Sequence, residues 1–102
     1  MYPGVAWTRR VNPAIPGHSV RVWDSRADRI NHDGPVYVYE QIAADIAADI
    51  RSGQLDAGSR LPSADDLADI YGVARLTARR AVRHLAEQGL VLIRPGRGTY
   101  VK

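Results

Sequence analysis

A short basic segment is the part of this sequence best suited to chemistry. "ARLTARRAVRHL", residues 74–85, contains Arg75, Arg79, Arg80 and Arg83 and no acidic residue. At about 100° per residue on a helix, these four arginines fall within an arc of about 140°. Arginine is the side chain best matched to phosphate and to the guanine edge, so the arc suggests a polyanionic partner.

The opposite side of the same helix is apolar. The residues on that side are Ala78, Ala81, Val82 and Leu85. A helix with one apolar stripe packs that stripe against a core and presents its other side to solvent or to a ligand. We therefore predict a helix over residues 74–88, ended by Gly89, that displays the arginine arc.

The charge of the chain is unevenly distributed. The 102 residues carry a net charge of +3, but residues 35–73 carry −5 and residues 74–102 carry +6, with seven basic residues against one acid. A segregated positive end is typical of proteins that bind a polyanion, with the acidic part turned away from it. Solvent-exposed helix faces usually mix both signs, which makes an ordinary hydrated surface the weaker interpretation.

Two shorter helices are expected before the basic one. Tyr39, Ile42, Ile46 and Ile50 recur at helical spacing up to Gly53. Ser63 is placed to cap a second helix, which Gly72 ends. This helix, the turn 72–74 and the basic helix form a helix-turn-helix, which places its second helix in the DNA major groove.

A basic hairpin is expected after the third helix. "LVLIRPGRGTYVK", residues 90–102, contains two short strands around a Pro-Gly turn. Its tip carries Arg94, Gly96, Arg97 and Gly98, and has the shape of a wing. The predicted fold class is mostly α with a small β-hairpin wing (α+β), a three-helix winged helix-turn-helix over residues 35–102.

Residues 1–34 are expected to be a separate leader. They contain Pro3, Pro13, Pro16 and several glycines, which break long periodicities, and "HSVRVW" is the one strand-like stretch. We predict that this leader is largely disordered, although Trp7 and Trp23 argue for some order.

Several classes of function are disfavoured by the composition. The chain has no Cys, which excludes disulfides and thiolate zinc sites. We find no nucleophile–base pattern, metal cluster or phosphate loop, so we expect neither an enzyme nor a cofactor. No apolar run is long enough for a membrane span and no signal peptide is evident, so cytoplasm is the expected location.

The chain resembles the N-terminal winged helix-turn-helix domain of the GntR family of bacterial transcription regulators. The resemblance covers residues 37–101 and is carried by "SGQLDAGSRLPS", the frame "GV.R.T.R.A...L...GL" and the ending "GRGTYV". A short-leader chain of this kind is similar, within that family, to repressors of transfer genes on conjugative plasmids of filamentous actinomycetes.

The resemblance implies roles for individual residues. Arg75, Thr77 and Arg79 would contact DNA from the recognition helix, and Gly96 and Arg97 would enter or border the minor groove. The chain departs from the family pattern at Asp65, Ala74, Leu76 and Arg80, where the family commonly has Arg, Ser or Thr, Thr, and Glu. The candidate DNA-binding residues are therefore Ser63, Arg75, Leu76, Thr77, Arg79, Arg80, Arg83, Arg94, Gly96, Arg97 and Gly98.

The resemblance also implies a longer protein. GntR regulators carry a C-terminal domain that binds an effector and forms a homodimer, so we expect this chain to be the DNA-binding part of such a protein. Its partner would be a double-stranded DNA operator with an inverted repeat, and the chain alone would be a weakly binding monomer. A winged-helix module for protein docking and a non-specific or RNA-binding domain remain alternatives.

Overall fold

The structure, a computed structural model, describes residues 23–102 and contains three helices and a hairpin. A 3-10 turn, Ala27–Arg29, precedes α1 (Val38–Arg51), α2 (Ala64–Tyr71) and α3 (Arg75–Glu87). The strands β1 (Val91–Arg94) and β2 (Gly98–Val101) follow. The predicted three-helix winged helix-turn-helix is confirmed, and the third helix lies within one residue of its predicted limits at each end.

The core forms where α3 crosses both earlier helices. The stripe predicted from the sequence, Ala78, Ala81, Val82 and Leu85, is buried. It packs with Ile42 and Ile46 of α1, Leu67 and Ile70 of α2, and further apolar residues from the connector and the wing. Because this apolar side is fully used in packing, the arginine side of α3 is left at the surface.

Local signals define the helix-turn-helix. The Ser63 hydroxyl accepts a hydrogen bond from the backbone N–H of Asp66 at 3.1 Å, so the predicted N-cap of α2 is confirmed. Gly72 ends the helix at φ +66°, a conformation that side chains with a Cβ rarely adopt. The backbone N–H of Val73 returns to the carbonyl of Ala68 at 2.9 Å, which turns the chain into α3.

The wing contains more paired backbone than the predicted hairpin. β1 and β2 are antiparallel, with Arg94 opposite Gly98. The connector before α2 adds an isolated bridge between Arg60 and Tyr100. Leu61 N–H donates to the Thr99 carbonyl at 2.8 Å on this side of the wing. Residues 59–61, read from sequence as a plain connector, are therefore attached along β2.

Residues 23–34 differ from the expected mobile leader. The side chains of Trp23 and Arg26 are buried against the helices. Arg26 donates to Asp45 at 2.9 Å, to Asp49 at 2.7 Å and to the Tyr71 hydroxyl at 2.9 Å. This part of the predicted leader is ordered because one cation satisfies two carboxylates. Residues 1–22, with most of the predicted "HSVRVW" strand, lie outside the described residues.

The buried cluster shifts the pKa values of two of its members and leaves both in their usual protonation state. Burial raises the pKa of the Tyr71 hydroxyl well above its usual value, although Arg26 acts against this. Burial lowers the pKa of the Arg26 guanidinium, but Tyr71 and Asp49 outweigh that effect and the net pKa is raised. Tyr71 therefore stays neutral, and its hydroxyl donates to Asp45 at 2.7 Å.

Candidate nucleic-acid interface

The outer face of α3 presents the predicted arginine arc. Arg75, Arg79, Arg80 and Arg83 are exposed, and Thr77 is half-buried. Within the described residues, Arg79 and Arg83 have no carboxylate partner. The fold thus brings together the basic side chains that the helical spacing predicted and leaves most of their charge available.

An apolar side chain stands in the middle of this arc. Leu76 is 73% exposed, the largest exposed fraction among the exposed large hydrophobic residues of the described chain. Exposed single leucines are common on protein surfaces and need no function. In this position, however, its methyl groups can contact a thymine methyl if α3 enters the major groove.

The first arginine of α3 is close to an acid of α2. Arg75 Nε lies 3.6 Å from Asp65 Oδ1, and both side chains are more than half exposed. Such an exposed pair adds little to stability. Its significance is local, because Asp65 partly neutralises the arginine that begins the recognition helix. Ala74 makes no side-chain capping hydrogen bond, as expected from its methyl group.

A tyrosine of α1 holds another member of the arc. The guanidinium carbon of Arg80 lies 4.2 Å from the ring centre of Tyr39, a cation–π contact. The His84 ring meets the same tyrosine edge-on at 5.5 Å between centres. Arg80 is therefore drawn toward the beginning of α1, beside Arg79 and Arg83.

These side chains line a groove of about 330 Å³ between α1 and α3. It is lined by Tyr39, Leu76, Arg79, Arg80, Arg83, His84 and Glu87. Sequence analysis placed Tyr39 on the apolar side of α1 and missed its part in this surface. Helical spacing assigns a residue to a face, but it does not show that the edge of that face meets another helix.

The wing tip is built as the sequence predicted. Gly96 has φ +77° and Gly98 has φ +131°, and the Arg97 N–H donates to the Arg94 carbonyl at 2.9 Å across the turn. Arg94, Gly96 and Arg97 are exposed, and Gly98 is half-buried. The backbone of Gly96 can approach another molecule closely, since nothing lies within 4 Å of where its Cβ would be.

A second groove, of about 250 Å³, separates the wing from the beginning of α2. Arg60, Ser63, Arg94, Gly96 and Gly98 contribute to its lining. Arg60 is a basic residue that sequence analysis did not single out. The sequence offers one sign of its position, the extended stretch "SRLPS", but this stretch does not show that residue 60 pairs with the wing.

Membrane-spanning helices and metal clusters are both absent from the described part of the chain. No helix within residues 23–102 has the length and hydropathy needed to cross a membrane. The same residues contain no group of three or more His, Asp or Glu side chains arranged to hold a metal ion. The exposed arginines of the arc and the wing, with the two grooves beside them, are the candidate site.

The chain matches a family of bacterial regulatory proteins and is similar to two named repressors. The family described as "Bacterial regulatory proteins, gntR family" matches residues 38–101. The HTH-type transcriptional repressor NagR of Bacillus subtilis is 36% identical over 72 residues, which are 71% of this chain and 30% of NagR. The mannosyl-D-glycerate transport/metabolism system repressor MngR of Escherichia coli is 43% identical over 65 residues, 64% of this chain and 27% of MngR.

Solved structures with the same fold include a protein bound to DNA. YtrA from Sulfolobus acidocaldarius, a GntR-family transcription factor, superposes with a TM-score of 0.68 at 33% identity over 74% of this chain and 80% of that chain. The AraR DNA-binding domain in complex with operator ORX1 gives 0.63 at 29% identity, over 72% of this chain and 94% of that one.

The chain spans less than a third of the length of the curated relatives named above, 30% of NagR and 27% of MngR. The matched part is the winged helix-turn-helix described here, and the family match extends from the first residue of α1 to the last residue of β2. The chain therefore belongs to the GntR family of bacterial regulatory proteins.

Proposed function

We propose that this chain is the sequence-specific, double-stranded DNA-binding domain of a bacterial transcriptional repressor. The observation that carries the proposal is the arginine arc on α3, exposed beside the wing and largely free of carboxylate partners. The operator complex of the AraR DNA-binding domain, which shares the fold, supports it. NagR and MngR are both named as repressors, which supports repression and not activation.

The side chains divide into base readers and backbone holders. Arg75, Thr77 and Arg79 occupy the first turns of α3, where a recognition helix reaches base edges. Arginine can bond two acceptors of guanine at once, and Leu76 can cover a thymine methyl. Arg80 and Arg83 lie farther along the helix and suit phosphates, which fix position but carry no sequence information.

The wing and the α2 cap complete the proposed contacts. Gly96 and Arg97 are placed to enter or border the minor groove, with Arg94 and Gly98 at its edge. Ser63 caps α2 and can also donate its hydroxyl to a phosphate at that helix end.

Tight binding requires two copies of the domain. A single helix-turn-helix reads one half-site, and dimers read two half-sites about one helical turn apart. We propose that the whole protein is a homodimer formed through a C-terminal effector domain and that its operator is an inverted repeat. Sedimentation of this chain should then give the 11.2 kDa monomer and not a species of twice that mass.

The genes under control are a further part of the hypothesis. The resemblance to repressors of conjugative plasmid transfer nominates transfer genes, and a DNA-binding regulator would act in the cytoplasm. Binding to the promoter regions of such a plasmid, measured against chromosomal promoters, tests this assignment.

The experiment that tests the DNA-binding function is a selection from random duplexes, followed by salt-titrated binding of the winner and of a scrambled duplex. We expect a recovered half-site that is preferred at least about ten-fold. Equal affinities that fall together as salt rises would reduce the function to non-specific charge attraction. Absence of binding would favour a protein-docking winged helix.

Two substitutions on one helix separate the two kinds of contact. Arg75→Ala should cost about 1–3 kcal/mol on the selected duplex and relax the preference at one base position. Arg83→Ala removes the same charge from the same helix and should weaken all duplexes alike. If both variants change the base preference equally, the division into base reader and phosphate holder is incorrect.

A further inference from the structure

We propose that Arg60, together with Arg94, binds a phosphodiester of the DNA backbone in the groove between the wing and the beginning of α2. This inference rests on the DNA-binding function proposed above and adds Arg60 as a positioning contact. It is carried by three independent features: the attachment of residue 60 to the wing, the space above Gly98, and the absence of acids from the groove.

Backbone pairing places Arg60 on the wing. Residue 60 bridges Tyr100 of β2. Hydrogen bonds on both sides fix this alignment, from Leu61 N–H to the Thr99 carbonyl and from Val101 N–H to the Ser59 carbonyl, each 2.8 Å long. Arg60 is thus part of a regular backbone pairing, and this pairing fixes the position of its Cα and Cβ relative to the wing.

Gly98 leaves room for the Arg60 head group. A Cβ at position 98 would lie 2.8 Å from Arg60 Nε and 3.3 Å from its guanidinium carbon. The guanidinium therefore occupies the place of the missing side chain. Arg94 is the residue opposite Gly98 in the hairpin, and paired residues of an antiparallel ladder project to the same face. Both arginines consequently line one groove.

The groove is positively charged without compensation. Its lining includes Arg60 and Arg94 and contains no Asp or Glu. Throughout residues 23–102, neither arginine has a carboxylate partner. Arg75, by comparison, lies 3.6 Å from Asp65. Two like charges facing one cleft repel each other, and the attraction of both to an anion placed between them offsets that repulsion.

The size and surroundings of the groove suit a backbone phosphate. Its volume of about 250 Å³ is several times the roughly 30 Å³ of one water molecule in the liquid, so a phosphodiester group fits. The planar guanidinium fork matches phosphate oxygens in a bidentate manner. The groove also lies between Ser63 and the wing tip at Gly96, both of which are proposed DNA contacts.

The first test compares two charge-removing variants of the chain by fluorescence anisotropy. Arg60→Gln should weaken binding about ten-fold, equally on the selected and the scrambled duplex, because a charged hydrogen bond to a phosphate is lost. The slope of log affinity against log salt should fall by about 0.9, one phosphate contact. Arg51→Gln, at the exposed end of α1, should leave the slope unchanged. Melting by circular dichroism verifies that both variants are folded.

A second test identifies the ligand atom. Each phosphate of the selected duplex is replaced in turn by a neutral methylphosphonate. The wild-type chain should lose affinity at one or two positions, and Arg60→Gln should lose nothing further at those positions.

Three outcomes would overturn the inference. The first is a salt slope of Arg60→Gln equal to that of Arg51→Gln, and the second is a loss of affinity in Arg60→Gln that depends on base sequence. The third is that the losses from Arg60→Gln and from methylphosphonate substitution add at every position of the duplex. Failure of the wild-type chain to bind any duplex would instead refute the proposed function itself, on which the inference depends.

Discussion

Removal of the buried Arg26 cation should destabilise the fold. Its side chain is 4% exposed and pairs with Asp45 at 2.9 Å and Asp49 at 2.7 Å. The change Arg26→Met keeps an unbranched apolar stem and removes the cation. The two carboxylates and the Tyr71 hydroxyl then remain beside a surface that cannot donate to them.

The expected loss of stability lies at the lower end of the range for buried pairs. Removing one partner of a buried ion pair costs about 3–5 kcal/mol. Asp45 and Asp49 keep 25% and 17% of their side-chain exposure, so water can partly solvate them. Asp45 also retains Arg29 at 3.1 Å. We therefore expect a loss of about 3 kcal/mol, which lowers the Tm by about 12–24 °C for a domain of this size.

Thermal unfolding followed by circular dichroism measures this, with Arg29→Met as the matched control. Arg29 pairs with the same carboxylate, but its side chain is 51% exposed, so its loss should cost less than about 1 kcal/mol. Well below its Tm, Arg26→Met should still bind DNA, since no arc residue is altered. A Tm within about 4 °C of wild type would refute the view that the Arg26 network anchors residues 23–34 to the helices.

Three further changes test other parts of the structure. Tyr71→Phe should change how stability depends on alkaline pH, because burial raises the pKa of Tyr71 in the folded chain. The stability that neutral Tyr71 contributes is complete below the unfolded pKa near 10 and is lost as the pH rises above it. In urea unfolding, the stability advantage of wild type over Tyr71→Phe should therefore shrink by up to about 1.4 kcal/mol per pH unit. Ser63→Ala removes the N-cap of α2 and should lower stability by about 1 kcal/mol, visible as a Tm about 4–8 °C lower; an unchanged Tm would mean that the cap is dispensable. Asp65→Asn should leave the Tm almost unchanged and raise DNA affinity a few-fold by freeing Arg75, and weaker binding in anisotropy would contradict this.

The parts of the fold encoded by local patterns were predictable from the sequence. The limits of α3 follow from one uninterrupted apolar stripe and a glycine immediately after it. The cap at Ser63 and the left-handed end at Gly72 depend on residues only a few positions apart, so their prediction required no knowledge of distant contacts. The arginine arc was predictable for the same reason, since its arrangement depends only on helical spacing.

Features that depend on distant partners were not predictable. Arg26 lies 19, 23 and 45 residues from the three side chains to which it hydrogen-bonds. An arginine in a Pro- and Gly-rich segment gives no sign of those partners, and the usual expectation for it is solvent. Trp23 was the signal available within residues 23–34, because a large aromatic residue in a mobile leader would remain exposed. The position of Arg60 on the wing was not predictable for the same reason, because it depends on pairing with the distant Tyr100.

The uneven charge of the chain has a structural explanation that the sequence alone did not show. Asp45 and Asp49, two of the acids in the negative stretch 35–73, are held by Arg26 and Arg29 on the side of α1 that faces residues 23–34. These carboxylates are therefore already paired and cannot neutralise the arginine arc. Asp65, another acid of that stretch, lies 3.6 Å from Arg75 and is placed to compete with DNA for it. Pairing within residues 23–51 thus accounts for part of the negative charge of the stretch 35–73, and the arginines of α3 keep most of their positive charge for a polyanion.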